Sequence, residues 1–449
     1  MAVKMTYPTR TDIQIHHGGR WHTAGSLCVV DHGRGTFEYD IDYVFGGLQL
    51  PVSLNLPLRI EAPAMIDDPL GQHSDLRLPA FLYDLVPQGR GRRYLLDKLN
   101  LNDADGLEAA LLLRGAFSPI GALRLASAAA YYEEEASKGA PDDARYEAGF
   151  ALADLVHRSE DFIEHLALHS MLASGTTGVQ GVAPKFLLAT NREGRWFADM
   201  ALPDELAHEH WLAKLPRGRT EDDLLVHRNE AAYLRLAHAC GLRTNEPPRL
   251  FGNILLVRRF DRVVHQGVLH RLHQESAASL CDLRGFGLPA RQQDLLMAIC
   301  KVVDNPVQEA IEFIRRDVLN QAMRNTDNHA RNTAVQRTVD GVVQLTPVFD
   351  FAPMFKDPEL IARTCHWKND AGQRQHNWEA VIDSLPMADS ERAQIAASLA
   401  DFASIVETLP ELARQAGVDD EIIEQCRGSI DQQALQLNAL KSAVGAHHG

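Results

Sequence analysis

The stretch Asn325-Thr-Asp327-Asn-His-Ala-Arg-Asn332 decides the fold, because this dense polar run directly follows an apolar segment with helical spacing. An amphipathic helix places an apolar residue at every third or fourth position. The preceding segment has that spacing at Ile311, Ile314, Val318, Ala322 and Met323. A run as polar as 325–332 is not typical of a protein core. We therefore predict a loop that follows a helix and presents functional side chains.

The spacing of Asp327 and Asn332, five positions apart, indicates a particular chemistry. Phosphoryl transfer needs a carboxylate beside the attacking hydroxyl and, a short loop away, an amide oxygen that holds Mg²⁺. Asp350 follows a hairpin-like segment and lies eighteen residues past Asn332, where it would bind the same metal. The alternative is that Asp327 and Asn328 merely follow the helix end and that Asp350 is a turn residue.

A glycine-rich segment, Ser174-Gly-Thr-Thr-Gly178-Val-Gln-Gly181-Val-Ala-Pro-Lys185, is a second candidate. Glycines let backbone N–H groups converge on phosphate oxygens, and a lysine beyond them adds positive charge. The spacing differs from the G-x-x-x-x-G-K-[ST] nucleotide loop, and many such segments are simply flexible turns. The segment therefore indicates a phosphate loop only together with other features.

A lysine and a glutamate in apolar surroundings form a third candidate. Lys214 lies within a predicted strand, His210-Trp-Leu-Ala-Lys-Leu215, and a helix is predicted over 223–240. Glu230 falls on the apolar stripe of that helix, four residues after Val226. A carboxylate facing a core is costly unless it is paired, and Lys214 is the natural partner. Alternatively, both side chains lie at the edge of the apolar surface and reach water.

Composition limits the class of protein. The chain has 449 residues, a formal net charge of −15 and six scattered cysteines without a C-x-x-C pair. Such a charge disfavours non-specific binding to nucleic acid, and the cysteine pattern argues against a disulfide framework or a cysteine zinc site. No apolar run approaches the ~20 residues that span a bilayer, and the polar N-terminus does not resemble a signal peptide. We predict a cytoplasmic protein with no membrane partner.

Local patterns predict a strand-rich first half and a helix-rich second half. Alternation of apolar and acidic residues predicts a strand over 37–45. Further strands are predicted at 186–189, 210–215 and 252–257, and one hairpin-like stretch near 333–348. An Ala-, Glu- and Asp-rich segment over 127–145 indicates a subdomain boundary. We predict three parts: a β-rich subdomain over 1–130, a nucleotide-binding sheet over 131–265 and a helical lobe over 266–449.

These motifs together resemble the HipA family of serine/threonine kinases, the toxin halves of bacterial toxin–antitoxin pairs. Their order, from glycine loop to lysine, glutamate, Asp-x-x-x-x-Asn and metal aspartate, is that of the protein-kinase fold. The similar stretches are Phe81-Leu-Tyr-Asp-Leu-Val-Pro87, Arg259-Phe-Asp-Arg262, Arg271-Leu-His-Gln-Glu275, 327–332 and Leu345-Thr-Pro-Val-Phe-Asp350. The resemblance covers about 20–370 and implies an α+β, two-lobed kinase-like fold with a mainly helical second lobe.

The resemblance also implies roles for residues, with ATP and Mg²⁺ as cofactors. Asp327 would be the catalytic aspartate, and Asn332 and Asp350 would bind the metal. Lys214, oriented by Glu230, would contact the phosphates. The remaining nucleotide contacts would come from Gly178, Val179, Gln180, Gly181 and Lys185 in the phosphate loop, from Arg258, Arg259 and Phe260 in the hinge, and from His329 and Arg331.

Family members phosphorylate aminoacyl-tRNA synthetases and are held in check by a helix-turn-helix antitoxin, through which alone they reach DNA. The resemblance implies the same partners for this chain. Two departures stand out: Arg258 occupies a position that is often acidic, and Gly178 occupies that of the autophosphorylated serine. Ser174, Thr176 and Thr177 are the nearby hydroxyls. Two alternatives remain open: a small-molecule kinase of the same fold, and a kinase-like module that mainly binds a repressor.

Overall fold

The computed structural model describes residues 9–31, 33–60, 77–139, 148–157 and 185–446. The strands are β1 Thr9–His17, β2 Arg20–Val29, β3 Gly35–Tyr39, β4 Leu123–Leu125, β5 Lys185–Thr190, β6 Trp196–Ala198, β7 Glu209–Lys214, β8 Arg249–Phe251, β9 Ile254–Arg258, β10 Arg262–His265, β11 Val268–Arg271, β12 Gln274–Ser276, β13 Ala290–Arg291, β14 Ala334–Arg337, β15 Val343–Leu345 and β16 Cys365–His366.

The helices are α1 Ile41–Phe45, α2 Gly89–Leu99, α3 Glu108–Gly115, α4 Ala126–Gly139, α5 Leu152–His157, α6 Glu221–Ala239, α7 Ala277–Leu280, α8 Gln292–Cys300, α9 Pro306–Ala322, α10 Trp378–Asp383, α11 Asp389–Glu407, α12 Leu409–Ala416 and α13 Asp420–Ala446. None of these helices combines the length and apolar character needed to cross a membrane. The chain forms two compact units: the first comprises 1–214, 258–286 and 337–339, and the second comprises 215–257, 287–336 and 340–449. The boundaries predicted at 130 and 265 stay predictions.

The first unit is built on antiparallel strands. One sheet has the order β3-β2-β1-β4 and packs its apolar face onto helices α3 and α4 and a 3₁₀ helix at Ala80–Leu85. Alternate β1 residues Ile13 and Ile15 are fully buried there, as a strand with one covered face requires. In a second sheet β5 pairs with β6 and β7, and the β5–β7 register places Lys185 directly opposite Lys214.

The strand predicted over 37–45 is only half correct. β3 ends at Tyr39, and the side chain of Asp40 accepts hydrogen bonds from the backbone N–H groups of Asp42 and Tyr43. This N-cap starts the short helix α1 where the alternating pattern suggests continued strand. The apolar–acidic alternation arises from a strand followed by a capped turn of helix, so it is not one face of a sheet.

The second unit is mainly helical, and its elements match the predictions closely. Helix α6 begins at Glu221, and its N-cap residue Thr220 forms a reciprocal capping box with Asp223. Helix α9 begins at Pro306, a residue suited to the first helical turn, and buries the predicted stripe against α11 and α13. The hairpin predicted near 333–348 is β14 and β15, which pair with each other.

Candidate active site

The end of α9 determines where the polar run 325–332 begins. Arg324 takes a left-handed φ of 54°, which ends the helix. The next residue, Asn325, donates from its backbone N–H to the Asn320 carbonyl at 2.8 Å and from its side chain to Asn320 Oδ1 at 2.9 Å. The run therefore starts as a loop fastened to the last turn of the helix.

Within this loop, Asp327 and Asn332 are joined to each other. Asn332 Nδ2 donates to the backbone oxygen of Asp327 at 2.6 Å, and the Asn332 backbone N–H donates to the His329 carbonyl at 2.9 Å. The Asp327 side chain is 20% exposed and its Oδ1 lies 3.7 Å from His329 Nε2. The carboxylate thus sits at the surface of a loop whose backbone is fixed by the asparagine.

His329 and Arg331 are largely internal. His329 Nδ1 accepts a hydrogen bond from the Arg331 backbone N–H at 3.2 Å, so the neutral ring carries its proton on Nε2, the nitrogen nearer Asp327. Arg331 is only 3% exposed, within the 3₁₀ turn Ala330–Asn332. The nucleotide contacts assigned to His329 and Arg331 stay predictions.

Asp350 is held beside the same loop through its backbone. Its φ of 49° is left-handed, a conformation that aspartate tolerates better than most residues. Its carbonyl oxygen accepts from Asn325 Nδ2 at 3.5 Å. Asn325 therefore links three elements of the second unit: the helix end, the polar loop and the segment that carries Asp350.

The donor set of this loop fits a hard divalent cation. Because Asn332 Nδ2 is committed to the Asp327 carbonyl, the amide oxygen Oδ1 faces the other way, and in the described part of the chain this buried oxygen has no hydrogen-bond partner. Carboxylate and amide oxygens are ligands that Mg²⁺ prefers, usually one or two together with water and substrate phosphates. Among described residues, no group of three His, Cys, Asp or Glu side chains forms a metal site.

Two lysines lie face to face in the first unit. Lys214 ends β7 and is 5% exposed, and its register partner on β5 is Lys185. Both lysines lie in the sheet that was predicted to bind the nucleotide. The rest of the predicted phosphate loop, Gly178 to Gly181 with the candidate hydroxyls Ser174, Thr176 and Thr177, lies outside the described residues.

Glu230 is buried on α6, as its place on the apolar stripe predicts. Lys214 belongs to the first unit and Glu230 to the second. The ion pair between them stays a prediction.

The predicted hinge contains one charge that is balanced by a neighbouring strand. Arg258 ends β9, forms an ion pair with Glu209 of β7, and places its guanidinium 5.5 Å from the ring centre of Trp211. The acid often found at position 258 in the resembled family is thus replaced by arginine, with an acid opposite. The Phe260 side chain is partly exposed. The adenine contacts of Arg258 and Phe260 stay predictions.

Arg259 belongs to a buried ion cluster, which we define as Asp199, His210, Arg259, Asp261 and Arg262. Arg259 donates to Asp261 Oδ1 at 2.9 Å and Oδ2 at 2.7 Å, and to Asp199 at 3.2 Å. Arg262 donates to Asp261 Oδ2 at 2.6 Å, and His210 Nδ1 lies 2.7 Å from Asp199. The Arg259 side chain is therefore part of the structural core of the first unit, and its nucleotide contact stays a prediction.

The pKa values within the buried ion cluster follow from this pairing. Burial alone raises the pKa of Asp199, but the charge of Arg259 and the hydrogen bond from His210 hold that pKa well below its usual range. Burial likewise raises the pKa of Asp261, and the charges of Arg259 and Arg262 outweigh burial and lower it. Both carboxylates are ionised at neutral pH.

Sequence reasoning missed two groups of buried charges in the second unit. On α9, Glu309 pairs with Arg243 at 2.8 Å, and Asp317 pairs with Arg363 at 2.6 Å. Asp317 follows Ile314 by three positions and precedes Val318, so its place on the apolar face was a usable signal, as for Glu230. Its partners come from distant segments, which local patterns do not identify.

Comparisons with known proteins identify the family. A model described as "HipA-like C-terminal domain" matches residues 177–416, and one described as "HipA N-terminal domain" matches 19–126. No curated protein sequence matches. The chain is similar in structure to HipA of Shewanella oneidensis MR-1, solved with HipB and operator DNA, with TM-score 0.60 and 18% identity over 97% of this chain and 98% of that one.

A lower similarity, with TM-score 0.36 and 14% identity, relates 53% of this chain to 88% of the Helicobacter pylori proinflammatory kinase CtkA. The match to Shewanella HipA confirms the predicted α+β fold of two parts. The C-terminal model alone covers more than half of the 449 residues. The chain therefore belongs to the HipA family.

Proposed function

We propose that this protein is an ATP- and Mg²⁺-dependent protein kinase that transfers the γ-phosphoryl group to a serine or threonine hydroxyl. The observation that carries the proposal is the orientation of Asn332. Its amide nitrogen fixes the backbone of Asp327, while its oxygen keeps its bonding capacity. Buried oxygens without a partner are uncommon, and three of them lie together in this loop, on Asn325, Thr326 and Asn332, among the described residues.

In this proposal, Asp327 orients or deprotonates the substrate hydroxyl. Its carboxylate is partly exposed, and His329 lies on one side of it. Asn332 and Asp350 would hold the metal ion. Mg²⁺, when bound, neutralises charge that develops on the phosphoryl oxygens.

The first unit would supply the nucleotide contacts. Lys214 and Lys185 support this assignment, because the β5–β7 register brings two cationic residues to paired positions of one sheet, and a polyphosphate carries the opposite charge. Gly178 to Gly181 would cover the phosphates, and backbone groups of Arg258 to Phe260 would contact the adenine. Glu230 would orient Lys214.

We further propose a helix-turn-helix antitoxin as a partner and an aminoacyl-tRNA synthetase as a substrate. The matched Shewanella protein was solved with HipB and its operator DNA, which supports an antitoxin. A net charge of −15 disfavours direct contact with DNA, so the antitoxin would make that contact.

The test is phosphorylation with γ-labelled ATP and Mg²⁺ in a bacterial lysate, using the full chain, Asp327→Asn and the control Asp340→Asn. Asp340 is an exposed residue of the β14–β15 turn. We expect label on the kinase itself and on a second protein, unchanged in the control and reduced by about 10²- to 10⁴-fold in Asp327→Asn. Mass spectrometry would then map the autophosphorylated hydroxyl, with Ser174, Thr176 and Thr177 as candidates.

Undiminished labelling by Asp327→Asn would contradict the catalytic assignment. Label that appears only in a small-molecule fraction would instead favour a small-molecule kinase. No label from any variant, with normal binding of an antitoxin, would favour a repressor-binding module.

A further inference from the structure

Asp317 is a buried carboxylate that the proposed chemistry does not use directly. It lies on α9, five residues before the last helical residue Ala322, and is 2% exposed. Transfer of an ionised carboxylate to such a site is costly unless charges and hydrogen bonds surround it. Its neighbours therefore show why the fold retains it.

Four donors converge on this carboxylate, two on each oxygen. Oδ1 accepts from Asn328 Nδ2 at 2.7 Å and from Arg363 at 2.6 Å. Oδ2 accepts from Trp367 Nε1 at 2.8 Å and from Gln321 of the same helix at 2.9 Å. Each oxygen of the Asp317 carboxylate therefore accepts two hydrogen bonds.

Three of these donors come from the two segments that carry the proposed site residues. Asn328 is the immediate neighbour of Asp327 in the polar loop, and Arg363 and Trp367 lie in the segment that follows Asp350. One carboxylate thus binds both segments that carry the proposed catalytic and metal residues. An ion pair needed only for stability requires Arg363 alone, whereas the bond to Asn328 places the carboxylate one residue from the reacting group.

We propose that Asp317 is the positioning residue of this site: it fixes the direction of the Asp327 carboxylate through Asn328. The expected effect on the reaction rate rests on the proposed kinase function. The expected effect on the order of the loop rests only on the four hydrogen bonds. A misplacement of about 1 Å in a reacting group costs on the order of 100-fold in rate.

The test compares Asp317→Asn with the control Asp431→Asn, an exposed aspartate on α13. Two readouts are measured on the full chain: kcat and KM for ATP, and hydrogen exchange of the backbone amides of 325–333. We expect Asp317→Asn to lower kcat by on the order of 100-fold and to leave KM for ATP within about threefold, because transition-state alignment is lost and ground-state binding is kept. Exchange in 325–333 should rise by about tenfold, with no change in the control.

A second variant covers the case in which Asp317→Asn does not fold. Asn328→Ala removes one donor and leaves the Asp317–Arg363 pair in place. It should lower kcat in the same way, and the double variant should be no slower than the slower single variant, because residues that act through one contact are not additive.

The outcomes separate the two proposals. Unchanged kcat in Asp317→Asn, or in Asn328→Ala, overturns the positioning role, as does a kcat loss matched by an equal rise in KM. If the unmodified protein transfers no phosphate, the proposed function fails. In that case hydrogen exchange alone tests the positioning role. Unchanged exchange of the 325–333 amides in Asp317→Asn overturns the role of Asp317.

Discussion

The buried ion cluster of the first unit and the polar loop of the second contain similar residues but differ in how completely their side-chain oxygen atoms are bonded. In the cluster, Asp261 accepts from both arginines and from the Gly121 backbone N–H at 2.8 Å. Arg259 is 1% exposed at its side chain. In the loop, Asp327 reaches the surface, and the Asn332 amide oxygen has no hydrogen-bond partner among the described residues.

This difference teaches how to separate structural from chemical polar groups in the same fold. In the cluster, every carboxylate oxygen of Asp199 and Asp261 accepts a hydrogen bond and leaves no capacity for a cation, although His210 Nε2 and Arg262 Nε have no partner among the described residues. A partly satisfied group that is held rigidly by its neighbours costs stability and is kept where a ligand completes it. Motif resemblance does not make the distinction, since both Arg259-Phe-Asp-Arg262 and the loop 327–332 are among the stretches that resemble the family.

The largest effect on stability should come from removing the Asp261 carboxylate from the buried ion cluster. Asp261→Ala leaves the charges of Arg259 and Arg262 without their shared partner, and loss of one member of a buried ion pair costs about 3–5 kcal/mol. We expect this loss in the free energy of unfolding of the whole chain, measured by urea denaturation. Asp12→Ala, at an exposed position of β1, is the matched control. A loss below about 1 kcal/mol, the value typical of surface pairs, would show that the cluster is not a structural core.

A smaller effect should come from removing Asn332 Oδ1, the amide oxygen of the loop that has no hydrogen-bond partner among the described residues. Asn332→Ala should raise the Mg²⁺ concentration needed for half-maximal activity by about 10- to 100-fold. It should also lower the free energy of unfolding by about 1 kcal/mol, because the hydrogen bond to the Asp327 carbonyl is lost. Asn305→Ala, at an exposed helix start without a side-chain cap, serves as control. Calorimetry of Mg²⁺–ATP binding gives a second readout. A variant with unaltered Mg²⁺ dependence would remove Asn332 from the metal site.

The smallest effect concerns pH and again tests the first unit. Burial, followed by the charge of Arg271, lowers the pKa of His16 from 6.5 to about 3. The unfolded chain therefore takes up a proton below about pH 6.5 that the folded chain refuses, so His16 makes stability fall as pH decreases. Between about pH 7.5 and 5.5 this amounts to about 1.4 kcal/mol.

His16→Leu should reduce the pH dependence of the unfolding free energy by that amount, whereas the exposed His265→Gln should leave it unchanged. The measurement is urea denaturation at the two pH values. Equal slopes for His16→Leu and the unmodified protein would mean that His16 titrates normally in the folded state.

Local patterns predicted the elements that surround the site. The stripe from Ile311 to Met323 defines α9, the hairpin near 333–348 is β14 and β15, and Glu230 is buried. These features depend on residues close in sequence, whose periodicity follows from the geometry of one helix or one strand pair. The loop containing Asp327 and Asn332 was predicted for the same reason.

The features that were not predicted depend on distant partners. Asp40 ends a strand by capping a helix, which local alternation hides. The burial of Arg259 depends on Asp199, sixty residues earlier. Asp317 depends on Arg363 and Trp367, 46 and 50 residues later. One sequence does not show which distant charges meet.

Asp350 has a left-handed backbone conformation, so alanine is a poor substitution for testing the role of its carboxylate. Alanine at this position would lose the carboxylate and also meet steric strain between its Cβ and the neighbouring peptide, so any inactivity would have two origins. Asparagine accepts the same dihedral angles and removes only the negative charge. Replacement by asparagine, and by glycine as a backbone reference, is therefore the pair of changes that separates ligand chemistry from chain geometry here.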